Sequence, residues 1–327
     1  MRVFITGATG YIGANLALKL ANAGHTVHAL VKSPEKAVML DHPNIKLFKG
    51  DLLDIASIHQ AIQSCEAVFH LAAYARVWAE DPATYFEINV DGTKNVMQAA
   101  LDAGAHKMVY TSTAGVLGPS YGQPSTEDTT RIVDFFNEYE SSKIISENWA
   151  LYYLKQGLEI VIVYPPRVYG PGVMSESNAV SKLIEQYIGG KWKLMPGDGR
   201  RTGCYAYIDD ITDGHIKALE RGTPGERYIL GGENVDYHQL FELIRKHSGV
   251  RQKLFKVPMP LMLAFGQSQM LKNRLTGKPP LLTPSWVKKY LYDWSLSSEK
   301  AIKELGYTIT PLDEGIRQTV NWLKNNR

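Results

Sequence analysis

Hydrophobic residues along this chain fall into short runs, separated by longer stretches in which apolar positions recur with a helical period. The short runs are rich in β-branched and aromatic residues, which favour β-strands. The longer amphipathic stretches favour helices. Their repeated alternation predicts βαβ units. The predicted strands cover residues 2–6, 26–31, 45–49, 67–71, 108–111 and 160–164, and the predicted helices cover residues 11–23, 54–64, 82–103 and 137–156.

The βαβ order also predicts how the strands are arranged. Parallel neighbours need long crossover connections, and continuously apolar strands are covered on both faces. We therefore expect an α/β fold with a doubly wound parallel sheet (Rossmann fold) and a smaller, mostly helical C-terminal substrate region. Because loops with Pro and Gly change the pattern after about residue 170, the predicted parts are a dinucleotide-binding domain at 1–170 and a substrate-binding region at 171–327. A run near 227–230 predicts a strand that returns to the main sheet.

Composition narrows the class of protein. Hydrophobic residues make up 44% and charged residues 21%, as in an ordinary folded protein, and the net charge of +3 is too small for a nucleic-acid-binding surface. Cys65 and Cys204 fit neither a metal site nor a disulfide framework. From the first residues we expect no signal peptide, and the sequence has no apolar stretch of the roughly 20 residues that span a membrane. We expect a cytoplasmic protein with a small-molecule partner, without metal, nucleic acid or membrane, and we leave a homodimer open.

A glycine-rich segment follows the first predicted strand directly. Gly7 and Gly10 lie between that strand and the helix predicted from residue 11, and Gly13 lies in the first turn of that helix. In a dinucleotide-binding turn, the first glycine makes the turn, the second lets the backbone approach a pyrophosphate, and the third lets the helix pack on the strand. The helix N-terminus then offers its amides to the phosphates. An ordinary loop is the alternative interpretation.

The segment after the second predicted strand bears on which dinucleotide is bound. NAD-binding sheets usually present an acidic residue there to the ribose 2′-hydroxyl. Residues 25–33 contain Lys32 and no acid, and Lys36 follows. A lysine can pair with a 2′-phosphate, so we expect NADP. NAD remains the alternative, with Lys32 as a solvated side chain.

Tyr139 and Lys143 lie four residues apart in a predicted helix, so their side chains share one face. A phenol has a pKa near ~10, and a neighbouring positive charge favours its use in proton transfer at neutral pH. Ser112 and Thr113 follow a predicted strand, at the edge where α/β sheets bind ligands. These residues predict a proton-transfer site. A Tyr and a Lys at this spacing also occur in helices for structural reasons alone.

These segments together resemble the extended branch of the short-chain dehydrogenases/reductases, the NAD-dependent epimerase/dehydratase family. His70-Leu-Ala-Ala73 after the fourth strand and the segment 89–93 add to the similarity. The resemblance implies the catalytic residues Thr113, Tyr139 and Lys143, with threonine in place of the family's serine. It also implies cofactor contacts from Gly7, Thr9, Gly10, Tyr11, Ile12, Gly13, Lys32, Asp51, Leu52, Leu71, Ala72, Ala73, Tyr139, Lys143, Pro166 and Val168.

Two positions depart from the sugar-nucleotide enzymes of this family. Arg167 stands where those enzymes usually carry asparagine, and Gly203 replaces an arginine that would bind a nucleotide diphosphate. Losing a bidentate cation weakens phosphate binding, although Arg167, Arg200 or Arg201 could compensate. The chain is closer in character to dihydroflavonol reductases and 3β-hydroxysteroid dehydrogenases. An aromatic substrate pocket is one interpretation, and ordinary packing the other, for Tyr74, Arg76, Trp78, Tyr169 and Tyr205.

The sequence therefore favours an NADP-dependent oxidoreductase that acts on a carbonyl/alcohol pair of a small, fairly apolar substrate. The alternative is a sugar-nucleotide epimerase or dehydratase with bound NAD, in which Tyr139 takes a proton while the cofactor is reduced and reoxidised within one turnover. A cofactor-sensing protein without catalysis is a third interpretation. The intact Tyr139 and Lys143 argue against it.

Overall fold

The computed structural model describes residues 1–174 and 178–326. Residues 175–177 and 327 of the predicted substrate-binding region lie outside the described residues. The main sheet has seven strands, all parallel. These strands are β1 (Arg2–Thr6), β2 (Thr26–Val31), β3 (Ile45–Lys49), β4 (Ala67–His70), β5 (Lys107–Thr111), β6 (Glu159–Tyr164) and β10 (Arg227–Ile229). Their order across the sheet is β3-β2-β1-β4-β5-β6-β10, which is the doubly wound arrangement.

Helices cover both faces of this sheet, and β1 shows why they must. Val3 and Ile5 belong to one hydrophobic core and Phe4 to the other, and none of the three is exposed. A strand with apolar side chains on both faces is stable only when both faces are covered. The predicted α/β fold class is thereby confirmed. The covering helices include α1 (Tyr11–Asn22) and α7 (Ile208–Arg221) on one face, and α2 (Ile55–Ile62), α4 (Gly92–Asp102) and α5 (Glu138–Lys155) on the other.

The helix predicted at 82–103 is not continuous. It consists of α3 (Ala83–Phe86), a π-helical turn (Glu87–Asp91) and α4. The Ser146 hydroxyl of α5 donates to the Asn89 carbonyl at 2.6 Å, and the Asn89 amide donates to the Ser142 hydroxyl at 2.8 Å. These hydrogen bonds to α5 stabilise the wider π-helical turn. They join residues that are far apart in the sequence, so the local hydrophobic period does not predict the interruption.

The C-terminal region adds two small sheets and several helices. Its strands are β7 (Arg167–Tyr169), β8 (Leu194–Pro196), β9 (Thr202–Tyr207), β11 (Glu233–Asp236) and β12 (Phe255–Val257). Its helices are α6 (Ala179–Ile188), α8 (Tyr237–Ser248), α9 (Met259–Thr276), α10 (Pro284–Lys289) and α11 (Leu312–Asn325). The chain reaches the main sheet again at β10, which pairs with β6. Within the described ranges, no helix has the length and hydropathy needed to span a membrane.

Candidate active site

The glycine turn after β1 leaves no room for side chains. Gly7 has a φ of +75°, and a Cβ there would lie 2.6 Å from the Ala72 amide nitrogen. A Cβ at Gly13 would lie only 2.1 Å from the Gly7 carbonyl oxygen, so α1 packs directly on the turn. Gly10 precedes α1, and no side chain caps the first amides of that helix. Uncapped amides above a close-fitting backbone turn suit the pyrophosphate of a dinucleotide.

The other predicted cofactor contacts in this turn differ in how far their side chains are exposed. Thr9 is exposed and Ile12 is half-buried. Tyr11 is only 1% exposed, and its side chain is part of the hydrophobic core. A contact between Tyr11 and a cofactor would therefore come from its backbone.

Lys32 and Asp51 form an ion pair, with Nζ and Oδ2 2.8 Å apart. Both side chains are exposed to solvent. Burial is the largest single influence and acts to raise the pKa of Asp51, but the hydrogen bond and charge of Lys32 together with the backbone amides of Leu52 and Leu53 hold that pKa below its ordinary value. Both residues are predicted cofactor contacts, but nothing in the sequence indicates that they form an ion pair with each other. Leu52, next to Asp51, is buried under Gly92.

The segment after β4 lies against the glycine turn. The Ala72 amide donates to the Thr6 hydroxyl at 3.3 Å, and Leu71, Ala72 and Ala73 are half-buried. His70, at the end of β4, is fully buried between the hydroxyls of Thr6 and Thr93, 2.6 and 2.8 Å from its two ring nitrogens. Burial, assisted by the charge of Lys143, lowers the pKa of His70 to about 3. This neutral histidine fixes the strand end and is not an acid or base at neutral pH.

Helix α5 presents Tyr139 from its first turn. Asn137 caps the helix by accepting a hydrogen bond from the Glu140 amide at 3.0 Å. Burial raises the pKa of Tyr139 to about 12, and a hydrogen bond with Thr113 opposes that rise. The phenol is therefore protonated at neutral pH, and the structure brings Tyr139 and Thr113 together.

Lys143 lies one turn further into α5 and is 1% exposed. Its Nζ donates to the Thr111 carbonyl at 2.8 Å and stands 4.3 Å from the centre of the Tyr110 ring. Burial lowers the pKa of Lys143 to about 7, although Glu147 acts to raise it. The groups that act on the pKa of Tyr139 include Thr113 and Glu140 but not Lys143. The lysine expected to assist the phenol is thus turned towards the end of β5.

Glu147 is a functional candidate that the sequence analysis missed. It is 4% exposed, and its carboxylate accepts hydrogen bonds from the Tyr164 hydroxyl at 2.7 Å and from the Ser112 hydroxyl. These bonds link the ends of β5 and β6 beside Lys143. Its spacing was the available signal, because positions 139, 143 and 147 share one helix face.

Arg167 and Gly203 turn out to be a single structural feature. A Cβ at Gly203 would lie 1.9 Å from Nη1 of Arg167, so the guanidinium fills the space beside this glycine. Arg167 is half-buried, and its Nη1 donates to the Tyr205 hydroxyl at 3.1 Å. Its Cζ lies 5.5 Å from the Tyr205 ring centre and 5.9 Å from that of Tyr237. The arginine side chain that is missing at 203 is replaced in space by one from β7.

The remaining predicted residues are divided between surface and core. Val168 is a core residue at 7% exposure, and Pro166 is half-buried. Tyr169 is fully buried against Gly315, which favours ordinary packing of the two interpretations left open for it. Tyr74 packs edge-on against Tyr85, and its hydroxyl donates to the Trp78 carbonyl at 3.3 Å. Arg76 lies 5.6 Å from the Tyr74 ring centre.

A cavity of about 440 Å³ opens in the C-terminal region. Its walls include neither Tyr139 nor Arg167, but Tyr290 belongs to its lining and is also close enough to Arg167 for that charge to act on its pKa. The neighbouring Lys289 pairs with Glu140, which follows Tyr139, at 2.6 Å. The cavity is therefore linked through α10 to α5, the helix that carries Tyr139. Its lining residues are Pro196, Gly197, Asp198, Arg200, Arg201, Met259, Tyr290, Leu291 and Asp293.

A doubly wound sheet with a glycine turn and a Tyr/Lys/Thr group at its carboxyl edge defines a class of α/β dinucleotide enzymes. The chain belongs to the NAD dependent epimerase/dehydratase family, whose family model matches residues 3–231. This membership confirms the resemblance to extended short-chain dehydrogenases/reductases.

Three comparisons show the range of proteins that the chain is similar to. A protein of Synechocystis sp. named as a putative dihydroflavonol 4-reductase is 30% identical over 99% of this chain and 94% of its own length. A 3 beta-hydroxysteroid dehydrogenase/Delta 5-->4-isomerase of Mycobacterium tuberculosis is 27% identical over 94% of this chain and 85% of its own. The structure of UDP-glucose 4-epimerase from Thermotoga maritima with UDP-glucose covers 100% of this chain and 99% of its own, with a TM-score of 0.82 and 23% identity. That last likeness establishes the fold alone.

Proposed function

We propose that this protein is an NADP(H)-dependent oxidoreductase that interconverts a carbonyl and an alcohol on a small, fairly apolar substrate. The observation that carries the proposal is the protonated phenol of Tyr139, which lies close enough to Thr113 for that hydroxyl to act on its pKa and one helical turn from Lys143. Reduction of a carbonyl needs a proton donor at this position. The similarity to a protein named as a dihydroflavonol reductase supports the same reaction class.

Each catalytic residue has a defined part in the proposed reaction. The bound nicotinamide supplies or accepts the hydride. Thr113 orients the substrate oxygen through its hydroxyl, and Tyr139 donates its phenolic proton to that oxygen as negative charge develops there. In its protonated form Lys143 has three N–H donors, of which the Thr111 carbonyl takes one, so two are left for the ribose of the cofactor.

The cofactor proposal rests on the glycine turn and on Lys32. The turn fits a pyrophosphate, and Lys32 lies at the end of β2, where a 2′-phosphate would find a cation. Lys32 would then exchange part of its interaction with Asp51 for one with the phosphate. NAD is the alternative, because the Asp51 carboxylate can accept hydrogen bonds from ribose hydroxyls.

We assign the dinucleotide to residues 1–170 and most of the substrate-binding surface to the region from residue 171 onwards, with Thr113 and Tyr139 of the first part at the reacting carbonyl. The cavity beside α10 supports this division, because all of its lining residues lie in the second part. The ion pair between Lys289 and Glu140 places this cavity next to the helix that carries Tyr139.

A sugar-nucleotide epimerase or dehydratase is the second candidate, and one observation favours it. The guanidinium of Arg167 fills the space beside Gly203, which restores a cation near the position where these enzymes carry arginine. In such an enzyme Tyr139 would take a proton and later return it, with no net use of cofactor.

One experiment separates the two candidates. Purified protein is incubated with NADPH and a panel of aromatic and alicyclic ketones and aldehydes, and NADPH oxidation is followed at 340 nm. We expect consumption with at least one ketone, abolished in Tyr139→Phe. Tightly bound NAD in the purified protein, together with conversion of a UDP-sugar without net cofactor change, would replace the oxidoreductase proposal by the epimerase one.

A further inference from the structure

The side chain of Arg167 is unusual in its surroundings. Its only hydrogen bond to another described side chain goes to the Tyr205 hydroxyl, and no described carboxylate forms an ion pair with it. A guanidinium has five N–H donors, so most of its donors are not used by side chains. Removing a cation from water without a counter-charge costs free energy. A structural arginine would be expected to have a carboxylate partner here.

The surroundings of Arg167 hold the guanidinium in place without neutralising it. The rings of Tyr205 and Tyr237 lie 5.5 and 5.9 Å from its Cζ, distances at which aromatic faces attract a cation. Gly203 gives it room that any other residue would remove. An arginine pre-organised in this way loses little conformational entropy when an anion binds.

The position of Arg167 relates it to the catalytic residues. Pro165, two residues before it, accepts a hydrogen bond from the Ala114 amide at 3.1 Å, directly beside Thr113. On the other side, the charges of Arg167 and Arg131 help to lower the pKa of Lys289, after the larger effect of burial. Positive charge therefore exceeds negative charge around Arg167, because Glu140 is already shared by Arg131 and Lys289.

We propose that Arg167 is the anion-binding residue of the substrate site, and that the substrate carries an oxyanion, a carboxylate or a phosphate, beside its reacting carbonyl. The planar fork of a guanidinium binds either group through two parallel hydrogen bonds. The tyrosines around it favour a substrate whose body is apolar or aromatic. This inference rests on the proposed function only for the reacting carbonyl. The anion site itself would serve either candidate reaction.

The test uses two probes that distinguish the sources of the oxyanion. Binding of 4-phenylbutanoate (a carboxylate on an aromatic body) and of pyrophosphate to NADP⁺-saturated protein is measured by calorimetry. We expect at least one probe to bind. Arg167→Gln should raise the Kd of that probe by about tenfold or more, as expected for loss of a charge-assisted bidentate contact. Arg251→Gln, at an exposed arginine, is the matched control and should leave binding within about twofold.

A second pair of variants tests the geometry rather than the charge. Gly203→Ala keeps Arg167 but places a Cβ where its Nη1 stands, so the guanidinium must move and probe binding should fall. The double variant Arg167→Asn/Gly203→Arg places the arginine on the neighbouring strand β9 instead of on β7. It should bind the probe more tightly than Arg167→Asn alone. Melting temperatures identify any variant that fails to fold.

The outcomes separate this inference from the proposed function. Binding of neither probe, or equal binding by the unmodified protein, Arg167→Gln and Gly203→Ala, would overturn the anion site. If pyrophosphate alone binds through Arg167 and no ketone consumes NADPH, the anion site stands and the oxidoreductase proposal fails. If the carboxylate binds through Arg167, the substrate is an anionic carbonyl compound, and 2-oxo-4-phenylbutanoate should be reduced at least about tenfold more efficiently than its ethyl ester.

Discussion

At the scale of a residue, the proposed proton transfer depends on the hydroxyl oxygen of Tyr139. Replacing it with phenylalanine removes only the hydroxyl, so we expect the fold and NADP(H) affinity to survive while turnover falls by roughly 10²–10⁴, the usual range for a general acid. Turnover, cofactor affinity and melting temperature are measured on the same preparation. Lys143→Met is the contrast, because loss of the ribose contact should lower both turnover and cofactor affinity. Near-normal turnover in Tyr139→Phe would show that the proton comes from another group.

The pKa of Tyr139 makes a separate prediction about pH. Because burial raises it to about 12, the phenol remains the protonated donor throughout the neutral range. Reduction should therefore show no fall from ionisation of Tyr139 between about pH 6 and 9. Oxidation needs the ionised phenol, so its rate should rise with pH. Both directions are measured as kcat against pH.

A different pH profile would point to a different residue. Burial lowers the pKa of Lys143 to about 7. A reduction rate that falls with a midpoint near that value would therefore identify loss of the Lys143 charge as the controlling ionisation, and Tyr139 would not be the group that titrates.

At the scale of an element, the glycine turn and α1 pack as one unit, but Gly13 and Gly10 contribute to it in different ways. A Cβ at Gly13 would collide with the Gly7 carbonyl at 2.1 Å, whereas one at Gly10 would meet the same oxygen at 3.1 Å. We expect Gly13→Ala to lower the free energy of unfolding by about 1–3 kcal/mol or more, as overpacking does. Gly10→Ala should change stability far less and weaken dinucleotide binding. Urea unfolding and cofactor titration measure the two effects.

The two alanine variants serve as controls for each other. Equal losses of stability would mean that Gly10 is needed for packing rather than for approach of the pyrophosphate. Unchanged cofactor affinity in Gly10→Ala would remove the glycine turn from the cofactor site.

For the whole molecule, the proposed cofactor touches the ends of several strands, so its binding should stabilise the entire fold. A ligand at about 100 times its Kd adds roughly 2.7 kcal/mol to the free energy of unfolding. Because Lys32 favours a 2′-phosphate, NADP⁺ should raise the melting temperature more than NAD⁺ at equal concentration. Lys32→Asp should reverse or abolish this difference. Lys303→Asp, at an exposed lysine of the C-terminal region, makes the same change of charge and is the control.

The ion pair between Lys32 and Asp51 gives this experiment a second arm. Asp51→Asn frees Lys32 from its carboxylate partner and should strengthen the preference for NADP⁺. Equal thermal shifts with both cofactors in the unmodified protein would contradict the assignment of NADP.

The amino-acid sequence by itself determined the features that depend on local spacing. The strands of the main sheet and the helices that cover it follow from hydrophobic period, and their bounds agree with the structure to within a residue or two, except that the helix predicted at 82–103 is interrupted by a π-helical turn. The glycine turn and the Tyr139–Lys143 pair were also found from the sequence, because a turn and a spacing of four residues fix geometry over a short length of chain.

Only the tertiary structure decided which distant residues meet and how their charges act on one another. Arg167 and Gly203 were two independent departures in the sequence, yet they occupy one space because β7 pairs with β9. The Lys143 ammonium points to the Thr111 carbonyl because α5 packs over the end of β5. Burial, which raises the pKa of Tyr139 and lowers that of Lys143, is a property of the assembled core. Hydrophobic period specifies which face of an element is buried, but the partner across that face is set by the topology of the whole sheet.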